Sequence, residues 1–288
     1  MYWEYFNLKV NPFGITPDPK FLYLSTPHAS AIEWMKMAIE QHEFGMITGE
    51  VGSGKTVLSR YLVDSLPEEK FRVAWIINPV MSPSQLLREV YSQLFDDKAP
   101  HSKSHLVKAL QEGLVNLFVE NKYPVVIIDE AQVIPGTKIF EELRLLSNYQ
   151  TDEQNLISII LMGQPELLKK LKKKTHRAFL QRVRFTLTLN PLTEDEVESY
   201  IDHRLKVAGL ESGNIFTPDA LLRIHQITEG YPRPVNHLAA FSMMEAMTHE
   251  KGVIDAMDVE AAARSILYFE DSLKDSAPEK KEKEAVGE

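Results

Sequence analysis

Hydrophobic positions along the chain fall into two patterns. Five short runs, FGMITGE (44–50), FRVAWII (71–77), YPVVIIDE (123–130), NLISIILMG (155–163) and RFTLTLN (184–190), are apolar or β-branched, several of them almost throughout. Continuous apolar runs of this length suit strands buried on both faces. Between them, KTVLSRYLVDSL, SPSQLLREVYSQLF, SKSHLVKALQEGLVNLFVE, KIFEELRLLSNYQ and PELLKKLKKK carry their apolar residues at helical spacing. Strands alternating with helices predict parallel β-α-β units with helices on both faces of one sheet. A further helix is predicted ahead of the first run, from Pro27 to Gln41.

After Asn190 the strand pattern stops. Four helical segments follow, near 193–208, 217–229, 233–249 and 255–267, and the first two open on TEDE and TPDA, N-caps with acidic first turns. The chain therefore divides into an α/β domain over 27–190 and a small all-helical domain over 191–268. Residues 1–26 hold three prolines in NPFGITPDPKF with aromatic residues on either side, which predicts an extended, packed arm. Residues 269–288 are charged and poor in apolar side chains, and are expected to be a disordered tail.

Composition narrows the class. With 44% hydrophobic and 25% charged residues over 288 positions, the chain has enough apolar mass for a sizeable core, which excludes a fibrous or wholly disordered protein. It has no cysteine, which excludes disulfides, thiolate metal sites and a thiol nucleophile and suits a reducing compartment. No stretch approaches ~18 uninterrupted apolar residues, and the N-terminus lacks a basic region followed by an apolar one, so a soluble, cytoplasmic chain without a membrane span is expected. A formal charge of −9 argues against a surface that binds nucleic acid all over.

Residues 49–56, GEVGSGKT, fit the pattern GxxxxGKT, set between a strand and a helix. In that setting the backbone N–H groups of Gly49, Glu50, Val51, Gly52, Ser53 and Gly54 point inward with the positive end of the helix dipole and form a cradle for phosphate. Lys55 reaches the β and γ phosphates of a bound ATP, and Thr56 sets its hydroxyl on Mg²⁺. The run VVIIDE delivers Asp129 and Glu130 at a strand's C-terminal end, where open α/β sheets bind ligands. Asp129 is placed to hold Mg²⁺ through water, and Glu130 to orient a water on the γ phosphate. The interval from Lys55 to Asp129 leaves room for two helical stretches and one further strand, which points to the P-loop class with an extra strand between phosphate turn and acidic strand.

Gln164 follows the buried strand in IILMGQPEL, and two uses suit it: a hydrogen bond to the attacking water or γ phosphate, or a turn or helix cap beside Pro165. Arg177, Arg182 and Arg184 lie at or just before the last strand, and Arg233 opens a helix of the second domain. Arginines so placed serve either as surface charge or as the fork that stabilises a transferring phosphoryl group on a neighbouring subunit.

These residues resemble the AAA+ ATPases, and more closely the general secretion pathway protein A family. The resemblance runs over most of 1–267, through YFNLKVNPFGITPDPKFLYLS with His28, GEVGSGKT, VVIIDEAQ, FEELRLLSNYQ, LMGQPEL, LQRV and GYPRPVNHLA. It implies a five-stranded P-loop core with a helical lid, ATP bound between subunits of a homo-oligomer, and coupling of hydrolysis to assembly or remodelling of a secretion or envelope-associated complex. Lys55 and Thr56 then match the Walker A motif, Asp129 and Glu130 the Walker B motif, and Gln164 the first sensor. Arg182 matches the trans-acting finger and Arg233 the lid's second sensor. Phe13 and its neighbouring prolines either lie over the adenine, as segments before the first helix do in AAA+ proteins, or seal a core edge.

The chain departs from longer family members, which carry a transmembrane segment and a peptidoglycan-binding domain where this one has a charged tail. Residues 169–184, KKLKKKTHRAFLQRVR, are its one strongly basic stretch. Either it is a solvated face beside a subunit interface, or it contacts the phosphates of duplex DNA. The second case corresponds to a DNA-bound ATPase that regulates or recruits a transposase.

Overall fold

The computed structural model describes residues 1–14, 18–151 and 154–275, except for the side chains of Pro19 and of 267–275. In chain order the helices and strands are α1 Tyr2–Tyr5, α2 Thr26–Glu40, β1 Phe44–Gly49, α3 Lys55–Ser65, β2 Phe71–Ile76, α4 Pro83–Phe95, α5 Lys103–Val119, β3 Tyr123–Ile128, α6 Lys138–Leu146, β4 Ser158–Gly163, α7 Pro165–Leu171, α8 Arg177–Leu180 and β5 Val183–Leu189. Four longer helices follow: α9 Glu194–Val207, α10 Pro218–Thr228, α11 Pro232–Thr248 and α12 Ala256–Asp275. Two compact units result, one of Thr16–Pro191 and one of Met1–Ile15 with Leu192–Glu288.

In the larger unit the five strands pair in parallel in the order β2-β3-β4-β1-β5. β4 thus separates β1, which ends at the glycine turn, from β3, which ends at Ile128 just before Asp129, and is the extra strand expected between the two motifs. Because side chains alternate across a strand, apolar runs feed two cores at once. Met46, Val126, Ile128, Ile159 and Leu161 face a core completed by α4, α5, α6 and α7. Ile47, Val125, Ile127, Ile160 and Met162 face the opposite one, with Ile32, Met35 and Ile39 of α2 and Leu58 and Leu62 of α3. β5, the edge strand, alternates between half-buried and exposed residues, the pattern already visible in RFTLTL.

Pro124 lies inside β3, a central strand, where a missing N–H ordinarily costs a ladder bond. Tyr123 and Asp129 donate their N–H to Lys70 and Ile76 on the β2 side, so the even positions between them face β4. Pairing with β4 begins only at Val125 opposite Ser158, and Pro124 therefore sits where no acceptor is needed.

Helix starts follow local chemistry. Ser82 with Gln85 at α4, and Thr193 with Glu196 at α9, form reciprocal capping boxes, and Ser25, Ser102 and Thr217 each accept a first-turn N–H.

The smaller unit takes in the first part of the segment expected as an arm over 1–26. Its first residues pack on α9 and α11 and on Phe216 of their own unit. Lys9 donates its N–H to the Ala208 carbonyl at 2.8 Å, Arg204 Nε donates to Pro12 O at 2.6 Å, and Phe13 meets Phe216 edge to face at 6.4 Å. The short 3₁₀ turn Pro19–Phe21 belongs to the sheet unit. α12 runs to Asp275, into the segment expected as a tail from 269, and residues 276–288 of that expected tail lie outside the described residues. Among the described residues no helix is long and apolar enough to cross a membrane.

Candidate functional site

β1 stops at Gly49 because the chain must reverse into α3, and the glycines make the reversal feasible. Gly52 and Gly54 have φ of 82° and 92°, a region that L side chains adopt at a cost of roughly 1 kcal/mol or more. At Gly54 a Cβ would also stand 3.0 Å from His28 Nε2. Gly54 is the N-cap of α3 and has no side chain to cap with, so the first-turn N–H groups of that helix stay available to an anion.

His28 holds this turn from α2. Its Nε2 lies 2.9 Å from Ser53 O and its Nδ1 2.7 Å from Ser25 Oγ. A carbonyl only accepts, so Nε2 carries a proton. His28, Ser25 and Ser53 are all buried. His28 was visible in the sequence only as part of the family resemblance, without a role.

Lys55 is 5% exposed, and its ammonium donates to Gly49 O at 2.7 Å, Glu50 O at 2.9 Å and Ser53 Oγ at 3.4 Å. Burial pushes its pKa down, and the charges of Glu130, Asp129 and Glu50 push it back up. Asp129 is fully buried. Its Oδ1 accepts the Glu130 N–H at 2.9 Å, and Ser59 Oγ lies 3.5 Å from Oδ2. Burial raises its pKa against the hydrogen bonds from the Glu130 backbone and the Thr56 side chain, which lower it. A lysine and an aspartate, each held against the burial cost of its own charge, line the space at the mouth of the turn.

Glu130 leaves the strand with φ 49° and ψ 36° and opens the 3₁₀ turn Ala131–Val133. Gln132 on that turn donates Nε2 to Glu130 Oε2 at 2.5 Å, and its Oε1 accepts the N–H of Gln164 at 3.1 Å. Gln164 occupies the N-cap of α7, and its side chain makes no cap hydrogen bond. Sequence reading passed over Gln132, whose partner Gln164 lies 32 positions away.

The residues fit a nucleotide phosphate with Mg²⁺. Lys55, with the turn's N–H groups, supplies the positive lining, and the Thr56 hydroxyl beside the buried Asp129 carboxylate supplies the hard oxygen donors that this ion takes alongside phosphate and water. No group of three or more His, Asp or Glu side chains that can hold a metal occurs among the described residues.

Other expected site residues sit elsewhere. Val51 is exposed on the turn. Arg177, Arg182 and Arg184 are exposed, and Arg184 pairs with Glu43 at 2.8 Å. Among the described residues Arg177 and Arg182 make no ion pair. Arg233 is exposed in the first turn of α11, in the helical unit. Phe13, 4% exposed, also belongs to that unit, not to the one that carries the phosphate turn.

The basic stretch is not uniform. Lys169 pairs with Glu166, while Lys170 turns inward to donate to the carbonyls of Gln132 and Ile134. Lys172, Lys173 and Lys174 are exposed.

A family described as AAA domain matches residues 38–171. General secretion pathway protein A of Aeromonas hydrophila is 35% identical over 277 residues, taking in 94% of this chain and 49% of that protein. The chain thus spans about half the length of that curated relative. Among solved structures, the ORC2 protein of Aeropyrum pernix is similar with a TM-score of 0.64 at 19% identity, covering 88% of this chain and 70% of that one. The Drosophila ORC bound to DNA gives 0.66 at 15% identity over 89% and 64%. A Walker-type ATPase of Pyrococcus abyssi gives 0.58 at 15% identity over 93% and 80%. At such identities these structures share the fold with this chain.

Proposed function

The chain belongs to the AAA+ family of P-loop NTPases, and from that premise we propose that it is an oligomeric, Mg²⁺-dependent ATPase. Its cycle drives assembly or remodelling of a secretion or envelope-associated complex from the cytoplasmic side. The supporting observation is the buried Lys55 ammonium, held on the turn's own carbonyls and close to the Glu130 and Asp129 charges.

When ATP enters, the turn's N–H groups and Lys55 take up phosphate oxygens, and Lys55 exchanges the Gly49 and Glu50 carbonyls for the β and γ phosphates. Thr56 and Asp129 are the residues that would hold Mg²⁺, and the ion when bound neutralises charge on the phosphate oxygens. Glu130 accepts a hydrogen bond from the attacking water and orients it. Gln164, at the end of the neighbouring strand, contacts the same water or the γ phosphate. Arg182 serves a neighbouring copy's site, as the resemblance to AAA+ proteins implies; it is exposed and, among the described residues, makes no ion pair. Arg233 closes the lid side in the manner of a second sensor. The similarity to general secretion pathway protein A supports the secretion setting; that protein's partner becomes this chain's expected partner.

A second reading rests on Lys172, Lys173 and Lys174, which are exposed beside α7. Together they supply the sequence-independent contacts that duplex DNA requires, as in an ATPase that regulates or recruits a transposase. ATPase rate and particle mass, measured with and without duplex DNA across a salt series, separate the two. Under the first reading DNA changes neither. Under the second, binding weakens steeply with salt and is lost when the three lysines are replaced by glutamate.

A further inference from the structure

Glu130 sits in a left-handed conformation at the end of a strand, and something must fix where its carboxylate points. One side chain meets it among the described hydrogen bonds, that of Gln132, two residues on. The same amide grips the far side of the site, where its oxygen takes the Gln164 N–H at 3.1 Å. The orientation of the amide is unambiguous: the carboxylate only accepts and the main-chain N–H only donates, so nitrogen faces Glu130 and oxygen faces Gln164.

Three further features converge on this bridge. Gly163 ends β4 without a side chain, and a Cβ there would stand 2.8 Å from Gln132 Oε1. Lys170 on α7 binds the carbonyls of Gln132 and Ile134 and so pins the 3₁₀ turn that carries the amide. Ala131, in the same turn, is fully buried. The turn is thus held by Lys170 and by the burial of Ala131, and the glycine at 163 leaves room for the amide.

We infer that Gln132 is a positioning residue: by tying one carboxylate oxygen of Glu130 to the end of β4, it leaves the other oxygen directed at the phosphate turn and the attacking water. This rests on the reading of Glu130 as the group that orients that water. The chemistry selects glutamine at this reach. Asparagine is a methylene shorter and does not span both partners, lysine cannot accept from Gln164, and a carboxylate repels Glu130. Misplacing a reacting group by about 1 Å costs on the order of 10²-fold in rate, and this is the scale of loss expected when the tether is cut.

The test uses the whole chain with ATP and Mg²⁺, measuring phosphate release and the affinity for a fluorescent ATP analogue, with thermal melting as a check on folding. Gln132→Ala is expected to lower kcat about 10- to 100-fold and leave nucleotide affinity within about threefold. Gly163→Ala, which removes no polar group, displaces the amide and lowers kcat in the same way. Introduced into Glu130→Gln, the Gln132→Ala change produces no further loss, since Gln132 acts only through Glu130. A Gln132→Ala enzyme turning over within twofold of wild type would overturn the inference. So would an additional loss on top of Glu130→Gln, a fall in affinity matching the fall in kcat, or failure of both single variants to fold. If the wild type itself releases no phosphate while binding the analogue, the hydrolytic reading fails first and takes this inference with it; an active wild type with indifferent variants defeats the inference alone.

Discussion

The His28 ring stands 2.9 Å from the main-chain oxygen of Ser53, and so α2 holds the middle of the phosphate turn in place before any ligand arrives. Replacing His28 by alanine leaves a buried carbonyl without its partner, at a cost of about 1–3 kcal/mol. His28→Ala should lower the melting temperature by several degrees and weaken nucleotide binding about tenfold, read by titration with a fluorescent ATP analogue. Unchanged affinity in the alanine variant would show that the turn is rigid without the histidine.

Lys55 gives a different outcome. Its charge is disfavoured by burial in the free protein, which offsets the loss of its hydrogen bonds to the Gly49 and Glu50 carbonyls, so removing it takes less from the fold than from the binding of phosphate. Lys55→Ala is expected to lose about 10²- to 10³-fold in nucleotide affinity with a melting temperature within a few degrees of wild type. A large drop in melting temperature at equal affinity would contradict the role.

Asp129 predicts a pH dependence. Burial raises its folded-state pKa above the unfolded value, so its contribution favours the fold at low pH and turns unfavourable as pH rises through the folded pKa. In the nucleotide-free protein with chelator present, Asp129→Asn should therefore melt higher than wild type near neutral pH. The gain should fade as pH falls through the titration of the carboxyl. A gain that grows on acidification would reverse the sign of the argument.

The sheet and the two motifs were legible in the sequence because their causes are local. A strand covered on both faces must be apolar throughout, and a turn that bares its N–H groups must carry glycine. The interval between Lys55 and Asp129 pointed to an extra strand between the two motifs, but that β4 is this strand emerges only on folding, since it follows both in the sequence. What escaped were polar pairs joined only by folding. His28 meets Ser53 across 25 positions and Gln132 meets Gln164 across 32, and no periodicity marks either. Phe13 shows the same limit: its aromatic, proline-rich surroundings announced packing, but its partner Phe216 belongs to the helical unit.

Arg182 is tested by mixing. If it completes a neighbour's site, Arg182→Ala and Glu130→Gln chains, each inactive alone, should regain hydrolysis together, because some interfaces then join an intact Glu130 to an intact Arg182. Recovery is expected to reach up to about a quarter of wild type in an equal mixture, if one interface in four is competent and interfaces act independently. No recovery in an assembled mixture would move the role to Arg177, or to Arg184 once its pair with Glu43 is broken.

The central claim is hydrolysis of ATP by a water that Glu130 orients. The most direct measurement is steady-state phosphate release by wild type and Glu130→Gln at equal nucleotide occupancy. The account predicts Mg²⁺-dependent release by wild type and a loss of about 10²-fold or more in the variant, with ATP still bound. A Glu130→Gln chain that binds ATP and releases phosphate at the wild-type rate would contradict it.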